Sequence, residues 1–100
     1  MVMGVILSES GGTVTAEASS NYSTAGYYEF HWRAGNAEHD INPTYQKVYT
    51  HISGMWSKAS SSTNLKHATY HEGEISVQVV AYSSEGTRMD EGSNKMIVSY

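Results

Sequence analysis

The chain is predicted to be all-β: a two-sheet antiparallel sandwich of about seven strands. Three observations predict this. Ile75, Val77, Val79 and Ala81 fall at every second position, with Ser76 and Gln78 between them, the period of a strand with one buried face. Short runs of the same kind recur along the 100 residues, separated by Gly-, Ser- and Asn-rich stretches, as in a sandwich or small barrel. No segment carries a persuasive 3.6-residue period.

Residues 2–8 read as a first strand, ended by Ser10-Gly11-Gly12. Val14, Ala16 and Ala18 alternate inward on the second. They are small, so the opposing face must supply bulk. Residues 19–26 form a loop by composition. In the third strand Tyr28, Phe30 and Trp32 share the inward face, and Tyr27, Glu29, His31 and Arg33 the outward one. Residues 34–44, with the single proline Pro43, are the longest irregular connection. Residues 45–52 read as an edge strand of ambiguous facing: either Val48 and Ile52 point in, or Tyr45 and Tyr49 do. Met55–Ala59 is a short strand and Ser60–Asn64 a polar turn. Leu65–Tyr70 leads to the central strand, 83–93 is a long hairpin loop, and 95–100 closes the sheet. One domain is expected over 1–100, near the commonest domain size.

Composition narrows the function classes. The formal net charge is -4, and the six Lys and Arg are scattered. Nucleic-acid binding needs clustered cations, and so does a polybasic membrane anchor; neither is expected. The opening apolar run is too short to span a membrane. Without Cys there is no disulfide framework to read. Polarity comes from Ser, Thr, Asn, Gln and Tyr, as is common on surface-exposed β proteins. The eight Tyr and two Trp, against one Phe, favour aromatics with a polar handle.

The C-terminal third, with Leu65, Ile75-Ser76-Val77-Gln78-Val79-Val80-Ala81-Tyr82, Gly86, Ser93 and Met96-Ile97-Val98, resembles a fibronectin type III or related immunoglobulin-like module. Gly26–Arg33 is similar to that family's third strand. The chain departs from the pattern at Ala18, where the family carries tryptophan, and at Ile75, where it carries tyrosine. The resemblance implies an immunoglobulin-like sandwich acting as a spacer or protein-binding module, with no shared site to carry over. A second stretch, Trp56–Ala59 with Asn64-Leu65 and Ala68, is similar to part of the lactococcin-type bacteriocins, which are small secreted β-sandwich proteins.

Candidate sites are few. His67 and His71 lie about 13 Å apart on a strand, too far to share a metal, and zinc needs three or four ligands. No metal and no cofactor is expected. Asp90-Glu91-Gly92 and Asp40-Ile41-Asn42 read as acidic loop tips without calcium-loop spacing. No nucleophile elbow or phosphate loop occurs, and no enzyme is expected. Asn21-Tyr22-Ser23 fits a glycosylation acceptor. Protonating all five histidines moves the charge from -4 to +1, so reduced solubility or altered association is expected at about pH 5–6.

The aromatics exceed the needs of one small core. Tyr27, Tyr45, Tyr49, Trp56 and Tyr70 are the candidate ligand-binding set, able to act as a stacking platform if they share a face; Tyr22 and Tyr82 are further candidates. The expected function is a non-catalytic protein-interaction or spacer module of an extracellular, cell-surface or virion-surface protein. A carbohydrate-binding module and a small secreted antibacterial protein are the alternatives. Partners would be a protein or a polysaccharide, with a homodimer through an edge strand also open, and neither nucleic acid nor membrane insertion.

Overall fold

The computed structural model describes residues 3–35, 41–66 and 73–98. Strands there are β1 (Gly4–Ser10), β2 (Thr13–Ser20), β3 (Ala25–Ala34), β4 (Ile41–Asn42), β5 (Tyr45–Tyr49), β6 (His51–Ser53), β7 (Trp56–Leu65), β8 (Gly73–Ser83) and β9 (Arg88–Val98). No helix occurs among the described residues. All pairings are antiparallel. A five-stranded sheet runs β1-β2-β7-β4 with β6 also on β7, and a four-stranded sheet runs β5-β3-β8-β9. The protein is a two-sheet antiparallel sandwich. Among the described residues nine strands stand where about seven are expected, because the connection after β3 and the run after Tyr49 contribute two short ones, β4 and β6.

The predicted facings hold at the centre. Ile75, Val77, Val79 and Ala81 are buried on β8, and Tyr28, Phe30 and Trp32 are buried on the adjoining β3, with Phe30 opposite Val79 and Trp32 opposite Val77. Val14, Ala16 and Ala18 face them from β2. The bulk that the Ala-rich strand lacks is supplied across the core, as close packing demands.

Several boundaries differ from the sequence reading. Residues 60–64 are not a turn. β7 pairs with β2 from Ser57 opposite Ser20 to Asn64 opposite Thr13. Small hydroxyl residues favour turns when they bond their own backbone, but here the inward hydroxyls have tertiary partners. Ser61 Oγ accepts from Trp32 Nε1 at 3.1 Å, and Thr63 Oγ1 donates to the Pro43 carbonyl at 2.6 Å.

The expected 83–93 loop is only a short turn. Ser83 N donates to Thr87 O at 2.8 Å and Gly86 N to Ser83 O at 2.9 Å, with Gly86 at φ 91°, a conformation that glycine adopts without a Cβ clash. β9 then starts at Arg88, after a register shift at Ala81/Tyr82. Asp90 is consequently no loop tip. It is 6% exposed, and its carboxylate accepts from Ser20 Oγ at 2.7 Å and from Glu91 N at 2.9 Å.

The 45–52 run divides between the sheets. β5 joins β3, whereas β6 joins β7. Thr50 lies at the crossing and donates through Oγ1 to Ala25 O at 2.7 Å. Val48 turns partly inward, Tyr45 and Tyr49 face solvent, and Ile52 is exposed, so the first alternative holds for Val48 alone. The first strand runs Gly4–Ser10 and ends two residues later than read. It lies against β9: Asn94 Nδ2 donates to Val5 O at 2.9 Å, and Met3 N to Glu91 O at 3.4 Å.

Candidate ligand-binding face

Alternation that sends Tyr28, Phe30 and Trp32 inward sends Tyr27, Glu29, His31 and Arg33 outward on β3. Register sets their neighbours. Tyr27 lies between Tyr49 on β5 and Tyr82 on β8; Glu29 between Lys47 and Val80; His31 between Tyr45 and Gln78; Arg33 beside Ser76. β9 extends these rows with Arg88, Glu91, Ser93 and Lys95. The outer face of the four-stranded sheet is therefore a small grid with an aromatic end and a polar end.

At the aromatic end the rings are in contact. Tyr27 and Tyr82 stack with centroids 5.2 Å apart and planes 17° apart, and Tyr49 meets Tyr27 edge-on at 6.3 Å. Lys47 Nζ sits 4.3 Å from the Tyr27 centroid and 5.3 Å from that of Tyr49, within cation–π range. These contacts hold Tyr27 in place while leaving Tyr49 73% exposed. Tyr45 lies at the junction, 48% exposed, with its ring 5.3 Å from His31. Its phenol is pushed above the ordinary value by desolvation first and then by the Glu29 carboxylate. Glu29 Oε1 also lies 3.5 Å from His31 Nε2.

At the polar end the face opens into a groove of about 840 Å³ lined by His31, Arg33, Tyr45, Ser76, Gln78 and Lys95, among others. Its wall combines the Tyr45 ring and the His31 imidazole with several hydrogen-bonding side chains, and it lies open to solvent. An extended polar ligand fits such a surface better than a small apolar one, which binds in enclosed, mostly hydrophobic pockets.

The candidate set is divided by the fold. Tyr27, Tyr45 and Tyr49 come together here, joined by Tyr82. Trp56 does not: it precedes the buried Ser57 on β7 and faces outward from the five-stranded sheet, 45% exposed. Tyr70, and the histidines His39, His67 and His71, lie outside the described residues, as does Asp40. Among the described residues no group of three or more His, Asp or Glu could hold a metal, and none forms a helix long and apolar enough to cross a membrane. Arg33, Ser76, Gln78 and Lys95 escape sequence reasoning. The outward alternation on β3 and β8 is visible in the sequence, but the pairing that aligns the two strands is not.

No protein-family model matches the chain, and no curated protein does. Among solved structures it is similar to a carbohydrate-binding module family 56 β-1,3-glucan binding domain, at 12% identity and TM-score 0.47, over 94% of this chain and 99% of that one. It is also similar to the collagen binding domain of Erysipelothrix rhusiopathiae surface protein RspB, at 7% identity and TM-score 0.31, over 98% of this chain and 48% of that one. Likenesses at this level assign neither a family nor a ligand to this chain.

Proposed function

We propose that residues 1–100 form one non-catalytic binding module of an extracellular or surface-exposed protein, and that it holds a polysaccharide on the outer face of β5-β3-β8-β9. The observation that carries this reading is the continuity of the Tyr27/Tyr49/Tyr82 cluster through Tyr45 into the open polar groove. Tyrosine offers a ring face to the C–H surface of a sugar and a hydroxyl to its oxygens. Rings already fixed by one another and by Lys47 lose little further freedom on binding, which favours affinity. The β1-β2-β7 and β5-β3-β8-β9 orders support an immunoglobulin-like or fibronectin type III-like arrangement, since the first, second and fifth of the seven longer strands share one sheet and the third, fourth, sixth and seventh the other.

Affinity electrophoresis against a panel of soluble polysaccharides, including a β-1,3-glucan, tests the reading. Tyr45→Ala and Tyr49→Ala should each weaken retention by the best polymer by about tenfold, roughly 1.4 kcal/mol, whereas Trp56→Ala should leave it unchanged. Loss of retention with Trp56→Ala alone would move the site to the other sheet.

A second reading, a protein-interaction module, is favoured by one observation. The β6–β7 hairpin, turning at Gly54 with φ 65°, exposes Ile52, Met55 and Trp56 together, Met55 by 81%. Grouped exposed apolar residues mark interaction sites. Light scattering of the wild type and of Met55→Ser tests self-association through this tip; a monomer in both would remove the homodimer.

A further inference from the structure

We infer that the polar end of the groove reads negative charge, and that the polysaccharide held there is an acidic one bearing carboxylates, such as a polyuronate. This rests on the polysaccharide reading above and adds the class of sugar. The distribution of charge is the first support. The chain carries ten acidic side chains and only six Lys and Arg, yet two of those six, Arg33 and Lys95, line the groove, and among the described residues no Asp or Glu does. An anionic protein thus places two cations in this open groove, the arrangement that draws an oppositely charged ligand and repels it elsewhere.

Placement is the second support. Arg33 and Lys95 both flank Ser76 in one row of the sheet. Two strand spacings put their backbones about 10 Å apart, with the Ser76 hydroxyl between them and Gln78 and Ser93 in the next row. Both cations are exposed. Among the described residues no carboxylate pairs with Arg33. Lys95 has only a loose contact with Glu74 at 3.9 Å, between largely exposed side chains, and such pairs are worth little. The other carboxylate near the groove, Glu29, is turned toward His31 and Tyr45. A guanidinium presents a planar fork that matches a carboxylate with two parallel hydrogen bonds. Tyr45 then supplies the sugar-facing ring beside it. A neutral glucan would use Tyr45 and the amide and hydroxyl groups but offer neither cation an opposite charge.

Calorimetry on the full chain with polygalacturonate and with a neutral glucan, at low and high salt, tests this. Polygalacturonate should bind at least about tenfold more tightly at low salt, and salt should erase most of that preference, as screening requires. The double variant Arg33→Gln/Lys95→Gln should lose the preference for polygalacturonate and its salt dependence while keeping the wild-type melting temperature. Equal binding of both polymers, insensitive to salt and to the double variant, overturns the inference and leaves the polysaccharide reading standing. If neither polymer binds, both fall. Displacement of polygalacturonate by polyglutamate at equal charge concentration would show that charge alone is read and would also overturn the sugar assignment.

Discussion

The four-stranded sheet fills its inward positions with Tyr28, Phe30, Trp32, Ile75, Val77 and Val79, whereas the five-stranded sheet fills its own with Val14, Ala16, Ala18, Ser57, Ala59, Ser61 and Thr63. Outside, the contrast repeats. One sheet presents Tyr27, Tyr45, Tyr49 and a groove. The other presents short polar side chains that bond one another, Thr13 Oγ1 donating to Asn64 Oδ1 at 3.0 Å and Thr15 Oγ1 lying 2.8 Å from Ser62 Oγ. The difference lets polar atoms be buried without loss. Tyr28 brings a hydroxyl and Trp32 an indole N–H into the core, and a buried polar group is costly without a partner. The facing sheet answers each. Tyr28 Oη donates to the Ser57 carbonyl at 2.8 Å and lies 2.6 Å from Ser57 Oγ, and Ser61 accepts from Trp32. Small inward residues on one sheet are thus both the room and the hydrogen-bond partners for large ones on the other.

The comparison breaks most visibly at the bulky sheet. Val77→Asp places an unpaired charge at a position 1% exposed and should cost more than about 4 kcal/mol, enough to unfold a small domain. The neighbouring Gln78→Asp, on the outer face, should shift stability by less than about 0.5 kcal/mol. Urea melts of the pair decide it, and equal tolerance would overturn the assignment of faces.

The hydrogen bonds between sheets come next. Tyr28→Phe and Ser57→Ala should each cost about 1–3 kcal/mol, because each leaves a buried polar group on the other side. Their double variant should cost less than the two added together, and strict additivity would mean the bond contributes nothing. Burial, opposed by the Ser57 hydrogen bond and assisted by the Asp90 charge, raises the Tyr28 phenol above 10. The unfolded chain therefore releases this proton first. The resulting stability is complete below about pH 10 and declines as pH rises through the folded value. Alkaline thermal melts should fall less steeply in Tyr28→Phe than in the wild type.

The smallest effects belong to the hydroxyl face. Thr15→Val and Ser62→Ala should each change stability by no more than about 1 kcal/mol and leave polysaccharide retention untouched. Lost retention in either variant would place ligand contacts on the wrong sheet.

The inward alternation of β2, β3 and β8 is legible in the sequence because side chains commit to a face every second residue, whatever the pairing. The Ser60–Asn64 stretch is not, since its strand character depends on Trp32 and Pro43, which are distant in the chain. Asp90 fails for the same reason: its partner Ser20 is seventy residues away. The candidate site was half legible. Tyr27, Tyr45 and Tyr49 stand out by type, but only register unites them with Tyr82 and separates Trp56 from them.

The contact of β1 with β9 has a mechanical side. Met3 meets Glu91, and Val5 meets Asn94, so the two strands ascend in the same direction. The last residue of β9, Val98, consequently lies some six residues beyond the level of Gly4, about 20 Å further along the strand axis. Tension applied between these points acts along the strands and shears many ladder bonds together instead of peeling them singly. Pulling through Gly4 and Val98 should therefore demand more force than opening the β8–β9 hairpin from its free end. Single-molecule extension in the two geometries would settle it, with equal rupture forces sinking the idea.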